Sequence, residues 1–154
     1  MRIINTQTDI FWLPKTTEGV VITTNGITDK NGNAVMGKGI ALQAKNLFHC
    51  EAKLGKYLKA YGNRCFNLGK YKRERDNEIF TLISFPTKHH WKEMSDIALI
   101  RKSAKELTAL CDKFNITKCY LPPVGCGAGG LNWEVDVEPW LSKALDDRFI
   151  IVRR

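Results

Sequence analysis

Apolar and polar positions along this chain alternate between two periods. Arg2–Asn5 and Gly19–Thr24 have strand character, the second being a β-branched run that stops at Asn25-Gly26. Ile40–Phe48 and Ala52–Tyr61 switch to helical character, with Leu54, Tyr57, Leu58 and Tyr61 at helical spacing. Arg64–Tyr71 and Glu78–Phe85 return to strand character, and the charged turn Arg73–Asn77 between them predicts a hairpin. The clearest helix runs from about Asp96 to Phe114: Ile97, Ile100, Ala104, Leu107, Cys111 and Phe114 share one face, and Ser95 is the expected N-cap. Lys118–Leu121 reads as a short strand ended by Pro122-Pro123. Asp136–Leu145 is a helix with Pro139 in its first turn, and Phe149–Val152 closes the chain as a strand.

Strands alternating with helices predict an α/β fold with a mixed, largely parallel sheet covered on both faces. Ligands of such folds lie outside the carboxyl ends of the strands. Both glycine-rich segments of this chain follow predicted strands. With 154 residues and no linker, repeat or low-complexity stretch, the expectation is one domain spanning 1–154.

Hydrophobic residues at 44% and charged residues at 26% are ordinary for a globular chain and change nothing in this picture. The charge balance does: 24 Lys and Arg against 16 acids leave +8. That excess has two readings, a solvated surface or attraction to a polyanion such as DNA, RNA or a pyrophosphate ligand. Two clusters stand out, Lys70–Arg75 and Lys88-His89-His90-Trp91-Lys92, the second interleaving an aromatic ring with bases. The five cysteines are odd in number and lack CxxC spacing, which favours free thiols in a reducing compartment. No signal-peptide or membrane-span pattern is present, so the expected location is the cytoplasm, or the nucleus of a host that has one. No histidine has a further ligand at metal spacing, and neither a metal nor a cofactor is expected.

The candidate chemistry lies in four segments. In the first loop, Asn25 to Ile40, Gly37 and Gly39 directly precede a helix, whose free N–H groups and dipole favour a phosphate; a plain strand-to-helix turn is the alternative. The pattern is neither GxxxxGK[ST] nor GxGxxG. In the second loop, Gly125-Cys126-Gly127-Ala128-Gly129-Gly130, four glycines in six residues cost more conformational entropy than a turn requires. A loop wrapping a pyrophosphate with backbone N–H groups explains them. Asp9 follows the first strand, where it either accepts from an exocyclic amine such as adenine's or caps a turn. Lys88 leaves a predicted strand end and reads as a phosphate contact, a solvated charge or an amine nucleophile. His89 and His90 invite acid–base roles, but adjacent residues point in opposite directions, so at most one faces a site.

Three stretches in order, Val35-Met36-Gly37-Lys38-Gly39-Ile40-Ala41-Leu42-Gln43, Phe85-Pro86-Thr87-Lys88-His89-His90-Trp91 and Leu121–Trp133, make nearly the whole chain resemble a macrodomain. The resemblance is strongest to the DarG-type DNA ADP-ribosyl glycohydrolases and the terminal ADP-ribose glycohydrolases. It implies a three-layer α/β/α sandwich with ADP-ribose across the strand ends. It further implies that Asp9 and Ile10 hold the adenine end, that Asn25 borders the distal ribose, and that Val35, Met36, Gly37, Lys38, Gly39 and Ile40 flank the distal ribose and diphosphate. Pro123, Gly125, Cys126, Gly127, Ala128, Gly129, Gly130 and Leu131 would cradle the diphosphate from the other side. Lys88 matches the catalytic lysine of this branch, whose amine attacks the anomeric carbon or stabilises charge there, with Asn25 positioning the ribose or a water.

The implied activity is removal of ADP-ribose from a modified target, a nucleobase in DNA being favoured. Gly129 stands where glycohydrolases acting on acidic side chains carry an aspartate. Gly26 to Asn33 make the first loop longer and more polar than usual for the family. Antitoxins of this type carry a further C-terminal region with no counterpart here, so the expectation is a free-standing enzyme, monomeric, from a bacterium or phage. The alternatives are an ADP-ribose 1″-phosphate phosphatase, which would draw on His89 or His90, a non-catalytic ADP-ribose reader, and a basic nucleic-acid-binding domain. Cys126 is assigned no chemistry beyond filling its loop.

Overall fold

The computed structural model describes all 154 residues. Strands β1 (Arg2–Asn5), β2 (Gly19–Thr24), β3 (Phe66–Arg73), β4 (Glu78–Pro86), β5 (Cys119–Leu121) and β6 (Phe149–Arg153) form one sheet in the order β1-β6-β5-β2-β4-β3. Every neighbouring pair is parallel except β3 and β4, so the predicted hairpin supplies the single antiparallel edge. Helices α1 (Gly39–Phe48), α2 (Glu51–Tyr61), α3 (Ile97–Lys113) and α4 (Glu138–Ala144) complete the three-layer α/β/α sandwich.

The layers follow from the period of the strands. Side chains of β2 alternate: Val21 enters the core shared with α3 and α4, while Val20 and Ile22 enter the core shared with α1 and α2. Burial on both faces is why apolar residues are adjacent rather than alternating in β2 and β4, with the small hydroxyl residues Thr24, Thr81 and Ser84 buried among them. Each Ile, Leu or Phe so buried contributes roughly 1.5–3 kcal/mol over leaving it exposed. No helix is long and apolar enough to cross a membrane.

Three expectations need correction. The N-cap of α3 is Asp96, whose Oδ1 accepts from the Ala98 N–H at 2.9 Å; Ser95 is turned into the protein instead. Phe114 stands at the C-cap of α3 and is 45% exposed, because the helix ends before its side chain can come round to the buried stripe. The last helix begins at Glu138 rather than Asp136: Trp133–Val137 winds as a π-helical turn, capped by Asn132, whose side chain accepts from the Val135 N–H.

The connectivity places the crevice. From β2 the chain runs through α1 and α2 to the edge strand β3 and back to β4 on one side of β2, and from β4 through α3 to β5 on the other. Connections diverging around β2 leave a gap above its carboxyl end, where a doubly wound sheet offers room for a ligand.

Candidate functional site

A cleft of about 660 Å³ opens over the carboxyl ends of β2, β4 and β5, within the size range of small-molecule sites. One wall is the segment from Asn25 to the start of α1. The Asn25 side chain is fixed at both ends: Nδ2 donates to the Val35 carbonyl at 2.9 Å, and Oδ1 accepts from the Ile27 N–H at 2.9 Å. Between them the chain makes a closed excursion, with Asp29 Oδ1 accepting from the N–H groups of Asn31 and Asn33 and a bridge joining Thr28 to Ala34. The excursion docks on α2, where the Ala34 N–H donates to the Glu51 carbonyl at 2.9 Å. Helix α2 approaches so closely at Gly55 that a β-carbon there would collide with the Gly32 carbonyl.

This wall ends in a ready anion site. Lys38 is the N-cap of α1 and gives no side-chain cap, and no acid stands in the first turn. The first N–H groups of α1 therefore lack intrahelical partners where Gly39, Ile40 and Ala41 line the cleft. A β-carbon on Gly37 or Gly39 would meet nothing within 4 Å, so the missing side chains open the cleft rather than tighten the protein.

The opposite wall is the loop after β5. Its own bonds, Cys126 N–H to the Pro123 carbonyl, Gly129 to Cys126, Gly130 to Gly127 and Leu131 to Gly125, leave the N–H groups of Gly127 and Ala128 without a backbone acceptor. Such free donors in a glycine turn make a concavity for an anion. Gly127 has φ 66° with open space at its β-carbon position, whereas a β-carbon on Gly129 would strike the Ser95 side chain. Cys126 is half-buried, and burial, with Glu134 and Asp136 nearby, pushes its thiol pKa up, which disfavours a thiolate.

Lys88 closes one end. Its Nζ donates to the Ala128 carbonyl at 3.2 Å, so the side chain spans from the end of β4 to the second loop. Its backbone is clamped: Asn63 Nδ2 donates to the Lys88 carbonyl at 3.0 Å, the Gly26 N–H to the His89 carbonyl at 3.2 Å, and the Asp96 N–H to the Thr87 carbonyl at 2.9 Å. His89 Nε2 lies 2.8 Å from Asp96 Oδ2, and this hydrogen bond holds the Asp96 carboxyl below the usual carboxylate range. His90 Nδ1 accepts from the Lys92 N–H, and neither histidine lines the cleft. Trp91, 46% exposed, stands at the rim with Lys92 Nζ 5.1 Å from its ring centroid.

Most of the sequence-predicted residues therefore come together around one cavity. Four do not line it: Asp9, Ile10, Gly130 and Leu131. Asp9 caps the short turn Ile10–Trp12 through Oδ1 and accepts from Gln43 Nε2 through Oδ2. Ile10 packs on the core, Gly130 is covered by Met94, and Leu131 faces the α3 core. Sequence reasoning gave no site role to six further lining residues, Thr23, Thr24, Ala41, Thr87, Ser95 and Pro122; the rule that ligands gather at strand ends flags the threonines, but nothing local flags Ser95. The two basic clusters part company as well. Lys88–Lys92 borders the cleft, whereas Lys70–Arg75 lies at the β3–β4 turn, the far end of the sheet, where Arg73 pairs with Asp76 and Arg75 stacks on Trp12.

A family model described as "Macro domain" matches residues 30–138. A DNA ADP-ribosyl glycohydrolase of Mycobacterium tuberculosis is 36% identical over 131 residues, 83% of this chain and 35% of that protein. One of Thermus aquaticus is 32% identical over 119 residues, 75% of this chain and 32% of that protein. The chain thus spans about a third of the length of the curated relatives it matches. Among solved structures, the macrodomain of Mycobacterium tuberculosis DarG superposes with a TM-score of 0.75 at 31% identity, covering 99% of this chain and 97% of that one. Thermosipho africanus DarTG in complex with ADP-ribose superposes with a TM-score of 0.76 at 26% identity, covering 99% of this chain and 42% of the other.

Proposed function

This chain belongs to the macrodomain family, and from that premise we propose that residues 1–154 act as one macrodomain that binds ADP-ribose and hydrolyses its bond to a base of DNA. The observation that carries the reading is the position of Lys88: its Nζ is held 3.2 Å from the Ala128 carbonyl, between a strand end and a loop offering free N–H donors. The diphosphate lies between the N-terminus of α1 and the N–H groups of Gly127 and Ala128. The distal ribose lies against Asn25 and Lys88. The adenine end lies toward Asp9 and Ile10; each Asp9 oxygen already accepts one bond and keeps a lone pair for another.

In the reaction the bond from the anomeric carbon to the base nitrogen breaks, the base leaves with its electron pair and takes up a proton, and water supplies the hydroxyl that completes the sugar. Positive charge develops on the ribose as the base departs. Lys88, after its ammonium gives a proton to solvent, adds to that carbon as an amine nucleophile; the sugar ring opens to a protonated imine, and water then adds to the imine carbon, releasing the lysine amine as the ring closes again. A nucleic-acid target is supported by the +8 charge, by the Trp91–Lys92 rim, and by Gly129, which brings no carboxylate to the cleft. Phosphatase chemistry on a 1″-phosphate finds less support, since both His89 and His90 are engaged outside the cleft.

Lys88→Ala tests the proposal. ADP-ribose affinity, read by calorimetry, stays within about threefold, while release of ADP-ribose from ADP-ribosylated single-stranded DNA falls by at least about 100-fold. Borohydride added during turnover traps a wild-type adduct that Lys88→Ala does not form. Unchanged turnover in the variant removes Lys88 from the mechanism. Wild-type binding without turnover of any substrate leaves a reader of ADP-ribose.

A further inference from the structure

The chain has four tryptophans, and only one of them lines the cleft. Trp133 is buried in the core. Trp12 and Trp140 are exposed, but each has an arginine guanidinium over its ring, Arg75 at 4.2 Å and Arg101 at 4.1 Å. Trp91, at the cleft mouth, is exposed and has no arginine over it. Lys92 Nζ stands 5.1 Å from its ring centroid, and the His90 ring lies alongside at 5.2 Å, tilted by 33°. A large apolar ring left in water at a cleft forgoes the burial that a core position would give it, and a flat ligand can supply that burial.

The segment that bears this ring is held still. Asn63 and Gly26 fasten the carbonyls of Lys88 and His89 at one end, and the Ser95 N–H fastens the other end to Gly129. Between them the Lys92 N–H donates to His90 Nδ1 at 3.1 Å and the Glu93 N–H to the His90 carbonyl at 3.1 Å, closing a turn around Trp91. A ring carried on a fixed turn loses little freedom when it meets a ligand. Its place along the chain matters too. Trp91 follows Lys88 by three residues and shares its cleft, and Lys88 stands where the bond from sugar to base breaks. With the diphosphate between the two loops, the group beyond that bond is the departing base. A base is flat and stacks on an indole, and a cation beside the indole suits the phosphates that flank a base in a strand.

We infer that Trp91 stacks on the nucleobase from which ADP-ribose is removed, so that the substrate is held on the base side of the breaking bond by a contact that every base can make. The inference rests on the hydrolase reading above. It gives the protein a tolerance for which base is modified, because stacking reads a π-face and not a hydrogen-bonding edge.

The test compares wild type, Trp91→Ala and Trp91→Phe in three assays: release of ADP-ribose from an ADP-ribosylated single-stranded oligonucleotide, release from the same ADP-ribosylated nucleoside alone, and calorimetric titration with free ADP-ribose. Alanine lowers kcat/KM on both substrates roughly 5- to 150-fold, the range of one lost base–aromatic stack, while the Kd for ADP-ribose stays within about twofold. Phenylalanine, which keeps a flat ring, recovers most of the loss. A loss confined to the oligonucleotide puts the ring on a flanking nucleotide and overturns the assignment. An equal loss of ADP-ribose affinity overturns it as well, because the ring then meets the ligand itself. So does unchanged turnover of both substrates, or a phenylalanine variant no better than alanine. A wild type that binds ADP-ribose but releases it from neither substrate overturns the hydrolase reading and the inference with it, a result visible before any variant is made.

Discussion

The two walls of the cleft are both glycine-rich and both follow a strand, yet they are held in different ways. The first is a docked wall. Its excursion is closed by Asn25 and Asp29 and leans on α2, where Gly55 lets the Gly32 carbonyl come into contact. The second is a strapped wall. Its turn from Cys126 to Leu131 closes on itself, and two bonds from outside reach it at the Lys88 end of the cleft, from Lys88 Nζ to Ala128 and from the Ser95 N–H to Gly129. A docked wall draws its stability from packing far from the ligand, whereas a strapped one depends on residues that also line the cleft. Damage to the first therefore shows as loss of stability, and damage to the second as loss of binding.

The largest effect falls on the strapped wall. Gly127→Glu puts a carboxylate into space that is open to the cleft, at a backbone φ of 66°. ADP-ribose affinity falls by about 100-fold or more, some 2.7 kcal/mol, while positive φ on a non-glycine residue costs about 1 kcal/mol or slightly more of stability, about 2–6 °C in Tm. Retained affinity would place the diphosphate elsewhere. Next comes the docked wall. Gly55→Ala forces α2 and the excursion apart, and thermal unfolding reports a loss of about 1–3 kcal/mol, the cost of overpacking. The affinity of this variant drops less than that of Gly127→Glu; the reverse order would erase the distinction between the walls.

The smallest effect concerns pH. The clamp behind Lys88 includes Asp96, held below the usual carboxylate range chiefly by its hydrogen bond to His89. A depressed carboxylate stabilises the fold above its unfolded pKa and loses that contribution as pH falls through the lower folded value. The contribution is thus complete at neutral pH and fades only below about pH 4. Asp96 is partly solvated, so screening keeps it small. Asp96→Asn, which keeps an oxygen to cap α3, changes the neutral-pH Tm by no more than about 2 °C and flattens the melting profile at acid pH. A collapse at neutral pH would mean that the clamp carries more of the fold than its exposure allows.

Much of this was legible in the chain itself. The β-branched run of β2, the charged turn of the hairpin and the helical stripe of α3 each signal their element because period and turn chemistry are local. The glycine loops were legible for the same reason, since four glycines in six residues have few structural explanations. Ser95 and Asp96 were not. Either can cap a helix, and which one does so depends on Asp96 also meeting Thr87 and His89, contacts made across the fold. The fate of Asp9 likewise turned on Gln43, a residue 34 positions away.

Sequence alone determined the order of strands and helices, the parallel sheet and the strand ends where the loops gather, because periodicity and chirality act over neighbouring residues. Tertiary structure alone decided which glycines open the cleft and which pack against a neighbour. Gly37 and Gly127 look into empty space, and Gly55 and Gly129 touch a carbonyl and a serine, yet in the sequence all four are the same residue. The reason is physical: a missing side chain carries no record of what stands in its place, and that is set by chain segments brought together only when the sheet closes.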